Sequence, residues 1–510
     1  MTSEAKTDNF KIFKNTMALY IRMGITMIIS FFTTRFTLQI LGVEDYGLNN
    51  VVSSLVTMFS FINGSMGTAV QRFYSIEIGK SNNPSILSRI FSSAMYLHLL
   101  IAVITFLIAQ IFLFFSFSTL TIPMERLMAA KHVFQISVIS LVFNILNVPY
   151  AALLRAREEF AKIAILDILQ SVLRLLVLFL LFAISYDKLV SLALFNLAIT
   201  LIYFVSIILV AGKYQETKFK ISRDKEYIKK MLSFISMLIL TVLASVFNKQ
   251  GVILLVNVFF GLTVNAAYAI AFQISNILET FAMNFKQSVV PQLMVSYASD
   301  DFERMNKLMF LGTKATFFLM MLISIPLFLE ADFILKIWLS PPPLYAAQFT
   351  QLMIIQVNID TFSYFIYQSV HASGKIKKQQ LYTSLSYFFS VFVTFLFFKL
   401  EYNFYYAVYV AIVFSLIRNF IIMSAAKESI DINLRKYTFN VVAKSVLFAG
   451  ILFFPSACII NTLNPSMLRL LIILLLNFLF AVIIGYYLFL DRTEKNLLLN
   501  IVSKMKQKFK

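Results

Sequence analysis

The sequence predicts an all-α integral membrane protein with fourteen transmembrane helices. Of its 510 residues, 59% are hydrophobic and only 14% are charged, whereas soluble domains carry about 25% charged residues. The apolar residues form long stretches, and a helix needs about 20 of them to cross a bilayer. Basic side chains lie inside several stretches, where a charge is costly enough to indicate a role. We therefore expect a polytopic bundle with an anionic ligand.

The fourteen predicted spans follow from apolar length and from the polar breaks between them. In chain order they are 14–41, 47–75, 89–117, 128–154, 160–184, 188–212, 231–258, 263–290, 308–336, 346–373, 379–400, 402–427, 438–461 and 466–490.

The longest interior polar segment, KYQETKFKISRDKEYIKK at 213–230, is predicted to be a cytoplasmic linker. It divides the chain into two six-helix halves and two additional helices. The predicted organisation is an N-lobe at 1–212, the linker at 213–230, a C-lobe at 231–427, and helices thirteen and fourteen with a basic tail at 428–510.

Lysine and arginine predict the orientation, because cytoplasmic loops carry an excess of both. The N-terminus, the even-numbered loops and the C-terminal tail hold about 29 of the 44 basic residues, and the odd-numbered loops hold about five. Both termini are therefore predicted to be cytoplasmic. The tail, with Lys504, Lys506, Lys508 and Lys510, is interpreted as a topology determinant near anionic lipid. Because the basic residues are clustered between apolar segments, we do not expect nucleic-acid binding.

A weak internal repeat supports this division. LGVEDYG opens span two, which ends in QRFYS, and FFGLTVNAA opens span eight, which ends in PQLMVSYASDD. Both units place a glycine at the outer turn, then an apolar helix, then a glutamine at the inner end. Equal loop polarity in the two halves predicts a twofold axis normal to the membrane, with a site at the repeat interface.

Motifs of catalysis and metal binding are absent from the sequence. The 13 glycines include no G-x-x-x-x-G-K-[ST] phosphate loop, and there is no G-x-S-x-G. The three histidines, His98, His132 and His371, lack metal-ligand spacing. The predicted outer loops are too short to hold an acceptor substrate. We expect a transporter driven by gradients, not an enzyme, with no catalytic residue and no metal site.

Two arginines lie in span one, and an acid and an arginine lie in span five. Arg22 and Arg35 are about 20 Å apart along an ideal helix and differ by about 140° in azimuth, so they cannot point to one spot. They are predicted to bind substrate in differently opened cavities, with snorkelling to head groups as the alternative. Asp167 and Arg174 share a face but lie about 10.5 Å apart, so each needs a partner on another helix or water. Arg174 is near mid-membrane and is predicted to bind substrate, with structural pairing as the alternative.

The second half of the chain contributes four further candidates. Lys249 lies in a polar string inside span seven that indicates a water-filled cavity. Lys286, seven residues after Glu279 in span eight, is predicted to bind substrate together with Lys249. Asp360 lies near the centre of span ten, where a carboxylate can carry a proton or sodium ion or neutralise a buried arginine. Asp167, Glu279 and Asp360 are the candidates for ion coupling.

Arginine suits a phosphate because its planar fork binds two oxygens and stays charged when desolvated. A basic mid-membrane cavity therefore favours a pyrophosphate over an organic cation. Arg418 in span twelve lies closer to the cytoplasmic side, and we expect it to anchor to the inner leaflet.

Several segments together carry a family resemblance. They are YIRMGITMIISFFTTRFTLQILGVEDYGLNNVV, FFGLTVNAAYAIAFQI, PQLMVSYASDD, ILKIWL and HASGKIKKQQ. Over its full length the chain resembles the bacterial polysaccharide flippases of the Wzx type. Their superfamily includes the multidrug and toxin extrusion (MATE) proteins and the lipid II flippase.

The resemblance implies a MATE-like fold of two six-helix lobes in a V shape with two appended C-terminal helices. It implies a cationic central cavity and transfer of an undecaprenyl-pyrophosphate-linked oligosaccharide to the outer leaflet of the bacterial inner membrane. Arg22 and Arg35 lie in the stretch that matches the family. In related lipid flippases the two extra helices form a groove for the polyprenyl tail, and the Leu, Ile and Phe content of spans thirteen and fourteen is compatible with that.

The favoured hypothesis is therefore alternating access without ATP, with H⁺ or Na⁺ as the coupling ion and no other cofactor. The expected partners are the lipid-linked glycan, the membrane and other polysaccharide assembly proteins. The alternatives are a multidrug or cation antiporter, a lipid II flippase, a membrane scaffold for polysaccharide enzymes, and an enzyme of glycan polymerisation, which the short outer loops disfavour.

Overall fold

The computed structural model describes residues 3–59, 61–116, 120–217, 224–430, 432–489 and 495. Every regular element within these residues is helical, which confirms the predicted all-α class. Eleven of the described helical segments are long and apolar enough to cross a membrane, as expected of a multi-pass membrane protein. The predicted basic tail lies outside the described residues.

Seven α-helices are found in the first part of the chain. They are α1 (Ser3–Met58), α2 (Phe61–Lys80), α3 (Pro84–Ser116), α4 (Leu127–Ala156), α5 (Phe160–Phe182), α6 (Lys188–Ala211) and α7 (Lys225–Ala298). Nine follow: α8 (Phe302–Leu329), α9 (Ala331–Leu339), α10 (Ala346–Asp360), α11 (Tyr364–Ala372), α12 (Lys377–Lys399), α13 (Tyr406–Ser429), α14 (Leu434–Tyr437), α15 (Lys444–Thr462) and α16 (Met467–Ile484).

The eleven segments are compatible with fourteen crossings because two of them each extend over parts of two predicted spans and because predicted span ten is divided. Gly261 breaks α7, which contains predicted spans seven and eight. Gly42 breaks α1, which contains span one and the first part of span two, and α2 contains the rest of span two. Predicted span ten is divided into α10 and α11 by a 3-10 turn at Thr361–Ser363. Such a break at membrane depth is tolerated where protein buries it or water reaches it.

The two glycine breaks have the same backbone conformation. Gly42 has φ 76° and ψ 175°, and Gly261 has φ 78° and ψ −172°. A side chain strains this left-handed region, and glycine adopts it freely. These are the glycines that open the two copies of the predicted repeat, so the repeat has a local structural counterpart.

The chain forms two compact units, Met1–Ala266 and Ala267–Lys510. The first half of α7 belongs to the first unit because the backbones approach closely there. A Cβ on Gly47 would lie 2.3 Å from the carbonyl oxygen of Leu262. Asn50 Nδ2 donates to Asn265 Oδ1 at 3.1 Å. The boundary between these two compact units therefore falls within α7, and the predicted lobes and linker stay predictions.

Ion pairs gather the odd-numbered loops at one end of the first unit. Arg126 Nε donates to Asp45 Oδ1 at 2.8 Å, and Arg126 Nη1 donates to Asp187 Oδ2 at 2.5 Å. Asp45, Arg126 and Asp187 come from loops one, three and five. Three distant loops thus meet, as the alternating topology requires.

The even-numbered loops meet in the same way at the other end of this unit. Arg157 Nε donates to Glu216 Oε1 at 2.8 Å, which joins loop four to the linker. Arg89 Nε donates to Asp224 Oδ2 at 2.9 Å, which joins the start of α3 to the linker. The side of the membrane on which each end lies stays a prediction.

The second unit incorporates helices α15 and α16 through an apolar core and one ion pair. Phe317, Phe448 and Ile484 are buried in this core. Arg469 Nε and Nη2 donate to the two carboxylate oxygens of Glu330 at 2.6 Å each, and both side chains are buried. The polyprenyl groove predicted for these helices stays a prediction.

Candidate functional site

A polar stripe on α4 forms one wall of a cavity in the first unit. Its members are spaced by three or four residues, or by twice that, which places them on one face of a helix: Ser137, Ser140, Asn144, Asn147 and Arg155. The cavity has a volume of about 710 Å³, within the range of about 300 to 1,000 Å³ for ligand sites.

Three other helices of the same unit complete the walls. Each contributes side chains at helical spacing or a single charge: Asn49, Ser53 and Thr57 from α1, Arg174 from α5, and Asn196, Thr200 and Tyr203 from α6. Because α5 and α6 run in opposite directions, Arg174 and Asn196 both lie eight residues from the helix ends that meet at Asp187. These two residues therefore lie at similar depth.

The electrostatics of this cavity are positive. Its described lining residues include Arg155 and Arg174 but no carboxylate. Both arginine side chains are exposed, and neither side chain makes a hydrogen bond or ion pair with any described residue. The remaining polar groups are amides and hydroxyls, which donate and accept hydrogen bonds without charge. This arrangement can bind an anion together with a hydroxyl-rich group.

Arg155 is directed into the bundle and not toward the end of its helix. A Cβ on Gly67 would lie 3.4 Å from Val148 Cγ1 and 3.9 Å from Arg155 Nη1. Val148 is seven residues before Arg155, which is about 10 Å along α4. The guanidinium group thus extends back along α4, away from the nearby loop end, and does not snorkel to it.

The predicted residues Arg22 and Asp167 form an ion pair at this cavity. Arg22 Nη1 donates to Asp167 Oδ2 at 2.7 Å, and the hydroxyl of the lining residue Tyr203 donates to Asp167 Oδ1 at 2.8 Å. Asp167 therefore has partners on α1 and α6, and its neighbour in sequence, Arg174, is left without one among the described residues.

Two other predicted residues of the first unit lie elsewhere. Arg35 on α1 and Lys249 on α7 are both half-buried, and neither lines this cavity. Each interacts with other groups of the protein. Their proposed roles in substrate binding stay predictions.

The other predicted residues lie together in the second unit. The Lys286 ammonium is 4.9 Å from the centre of the Tyr364 ring, and only 8% of the residue is exposed. Glu279 and Asp360 are close enough to Lys286 to interact with it electrostatically. In this unit each predicted charge therefore has an opposite charge nearby.

Arg418 corrects one sequence expectation. It was expected to reach the inner leaflet, but it is buried in the second unit, with Nη2 donating to Ser415 Oγ at 2.6 Å. Asp360 Oδ1 lies 3.7 Å from Arg418 Nη2. Of the two interpretations left open for Asp360, the geometry shows the neutralising contact, and its role in coupling stays a prediction.

Arg155 and the α4 stripe are not among the residues predicted from the sequence. Arg155 lies just beyond predicted span four (128–154), at a position typical of a loop cation. A search for polar residues of period 3.6 within span four would have found Ser137, Ser140, Asn144 and Asn147 and led to Arg155.

The family becomes clear when the sequence is compared with known proteins. Residues 12–296, more than half of the chain, match the model of a family described as "Polysaccharide biosynthesis protein". The chain belongs to this family. The match covers every residue that lines the cavity. No curated protein matches the sequence of this family member.

Solved structures confirm the fold of this polysaccharide biosynthesis protein. A structure titled "Lipid II flippase MurJ, inward closed conformation" matches with a TM-score of 0.68 at 15% identity, over 93% of this chain and 98% of that one. An inward-facing multidrug resistance MATE family transporter of the MOP superfamily matches with 0.65 at 13% identity, over 80% and 99%. A MOP superfamily transporter from Pyrococcus furiosus matches with 0.58 at 12% identity, over 81% and 95%. The protein therefore has the MATE-like fold.

Proposed function

We propose that this protein is a flippase of the Wzx type that moves an undecaprenyl-pyrophosphate-linked oligosaccharide across the bacterial inner membrane. The observation that carries the proposal is the cavity of the first unit, with two unpaired arginines and no carboxylate among its described lining residues. Membership of a polysaccharide biosynthesis family supports a glycan cargo. Similarity in fold to a lipid II flippase supports a lipid-linked one.

The cavity supplies two kinds of recognition. Arg155 and Arg174 can each bind two phosphate oxygens, and a guanidinium group stays charged when water is excluded. The amide and hydroxyl groups of the α4 and α6 stripes can exchange hydrogen bonds with sugar hydroxyls. The lipid tail stays in the bilayer, where exposed apolar side chains such as Leu475 and Phe478 of α16 provide a compatible surface.

Movement by alternating access needs no ATP hydrolysis in this proposal. The H⁺ or Na⁺ gradient supplies the energy, and Asp167, Glu279 and Asp360 are the candidate coupling groups. We also propose that both termini lie in the cytoplasm. Other polysaccharide assembly proteins are the proposed partners.

The cation antiporter is the weaker alternative because the described lining residues of the cavity carry positive charge. A site for organic cations is expected to contain a carboxylate exposed to the ligand. The described lining residues contain none, and Asp167 beside the cavity already binds Arg22.

Transport into proteoliposomes tests the proposal. The purified protein is reconstituted with a fluorescent polyprenyl-pyrophosphoryl oligosaccharide, and the fraction reaching the opposite leaflet is measured by quenching. We expect Arg155→Gln and Arg174→Gln each to reduce the flipping rate at least about tenfold, since each removes a charge-assisted contact. Arg89→Gln, which breaks an ion pair outside the cavity, is the matched control.

Equal rates for the wild type and both cavity variants would contradict the proposal. Lipid II as cargo and a cationic dye as cargo distinguish the alternatives in the same assay. Faster transfer of either one than of the oligosaccharide lipid would replace the proposed cargo.

A further inference from the structure

Loops nine and eleven meet in an aromatic cluster at the odd-loop end of the second unit. Loop nine is 340–345, between α9 and α10, and loop eleven is 400–405, between α12 and α13. The ring of Tyr345 lies 4.6 Å from that of Phe404, measured between their centroids. Phe349 of α10 is fully buried, and its ring lies 5.7 Å from that of Phe404. Rings from two loops that are distant in sequence therefore form one packed cluster.

Five tyrosines of this cluster carry hydroxyl groups that make no hydrogen bond with any described residue. We call them the tyrosine platform: Tyr345, Tyr402, Tyr405, Tyr406 and Tyr409. Tyr402 and Tyr409 are each 43% exposed, and their rings lie 4.7 and 5.6 Å from the ring of Tyr406. Tyr405 lies close enough to Tyr345 and Tyr409 to interact with them electrostatically. The platform is thus a set of mutually packed rings with available hydroxyls.

Two common roles of surface tyrosines fit this platform poorly. A belt that anchors a bundle in the membrane surrounds the bundle at the interface. Loops three, seven and thirteen contain no tyrosine, however, and loops one and five contain one each. Contact with anionic lipid requires basic side chains, whereas the one charged residue of loops nine and eleven is Glu401. This composition favours a neutral ligand that is rich in hydroxyl groups.

We propose that the tyrosine platform is a second glycan-binding site, which holds the oligosaccharide of the cargo on the outer side of the membrane. This inference rests on the proposed function, which supplies a glycan cargo and places the odd-numbered loops outside. The site differs in chemistry from the cavity of the first unit, because it offers aromatic rings and no cation for the pyrophosphate.

Aromatic rings and sugars are complementary in shape and charge. The C–H groups on the face of a pyranose ring carry partial positive charge, and the face of an aromatic ring is negative. Tyrosine offers this surface at low entropic cost because it has only two side-chain torsions. Tyr345 and Tyr405 are already held against Phe404. The tyrosine hydroxyls and the exposed carboxylate of Glu401 can exchange hydrogen bonds with the sugar hydroxyls.

Fluorine NMR of the protein in nanodiscs tests this site locally. The protein is labelled with 3-fluorotyrosine, and the signals of Tyr402, Tyr409 and Tyr186 are assigned from the phenylalanine variant of each. The probe is the oligosaccharide of the transport assay after release from its pyrophosphoryl lipid, titrated to millimolar concentration. We expect the signals of Tyr402 and Tyr409 to shift and saturate. The signal of Tyr186, an exposed tyrosine of loop five, should stay unchanged.

Tyr402→Leu tests whether the aromatic ring itself binds the sugar. It keeps an apolar side chain at an exposed position, so the bundle should still fold. The affinity read from the Tyr409 signal should fall about five- to tenfold. Tyr402→Phe should lose less, because it keeps the ring and removes only the hydroxyl. Tyr186→Leu is the matched control and should bind the probe as the wild type does.

The outcomes separate this site from the proposed function. A wild type that flips the lipid-linked oligosaccharide, but whose Tyr402 and Tyr409 signals ignore the free oligosaccharide, overturns the second site alone. Equal affinities of Tyr402→Leu and Tyr186→Leu, or signals that follow the anionic lipid content of the nanodisc instead of the sugar, overturn it as well. A wild type that does not flip the lipid-linked form overturns the proposed function and the second site with it.

Discussion

In the first unit, Arg155 and Arg174 line a polar cavity and make no ion pair with any described residue. In the second unit, Arg418 and Arg469 are buried, and each lies beside a carboxylate. The four arginines are alike in sequence, since each lies in or at the end of a long apolar helix. What separates them is whether the fold supplies a partner, so a charge at membrane depth becomes a candidate for ligand binding only when its partner is missing.

The first prediction concerns the structural use of arginine in the second unit. Glu330→Gln should lower the free energy of unfolding by about 3 to 5 kcal/mol, because Arg469 is then buried without a countercharge. Denaturation of the purified protein in detergent measures the loss. The double variant Glu330→Leu with Arg469→Met should recover most of the stability. If the double variant is as unstable as the single one, packing and not charge explains the effect.

The second prediction introduces a carboxylate partner for an arginine into the cavity of the first unit. Asn196→Asp places a carboxylate at the depth of Arg174 in the cavity wall. Flipping should fall by about ten- to a hundredfold, because Arg174 gains a competing partner and the anionic cargo meets a like charge. Asn196→Ala is the control and should lose much less. Equal losses in the two variants would show that the amide, and not the sign of the cavity, matters at this position.

The third prediction concerns the glycine breaks with positive φ that the two halves share. Gly42→Ala and Gly261→Ala should each cost about 1 to 2 kcal/mol of stability, because each Cβ meets open space and only the positive φ is strained. Gly450→Ala in α15 also meets open space but has no positive φ, so it should not destabilise the protein. Unequal costs at Gly42 and Gly261 would show that the repeat is not equivalent at its two breaks.

The smallest effect is expected from the pH dependence of Asp187, which lies at the end of the first unit where loops one, three and five meet. Burial raises the pKa of Asp187, but Arg126 and the amides of Leu189 and Val190 lower it more, so the pKa lies below the ordinary 3.8. Its stabilisation is complete above pH 3.8 and is lost as the pH falls through the lower folded-state pKa.

Asp187→Asn keeps the helix cap and removes the charge. It should cost under about 1 kcal/mol near neutral pH, and the difference from the wild type should disappear in acid. The melting temperatures of both proteins from neutral to acidic pH measure this. A difference that is constant with pH would contradict the assignment to the charge.

The sequence predicted most of the fold because membrane helices are specified locally. Apolar length located the helices, and the glycines of LGVEDYG and FFGLTVNAA marked the two breaks that the structure shows. The positions of the charges could also be read from the local sequence. Their partners could not, because they lie far away along the chain. Arg22 and Asp167 are 145 residues apart, and Glu330 and Arg469 are 139 apart.

The candidate site was therefore only partly predictable. Arg174 could be selected by depth alone, and the structure places it in a cavity. Arg155 could not, because its position near a loop concealed that its side chain turns back along α4. Asp360 shows the same difficulty, since only the structure places it beside Arg418.

We propose that the anionic part of the cargo binds to the arginines of the first unit. An electron cryo-microscopy structure of the protein with a polyprenyl-pyrophosphoryl oligosaccharide in nanodiscs tests it most directly. We expect phosphate density within hydrogen-bonding distance of Arg155 or Arg174. Phosphates bound away from both, for example beside Lys286 of the second unit, would contradict it.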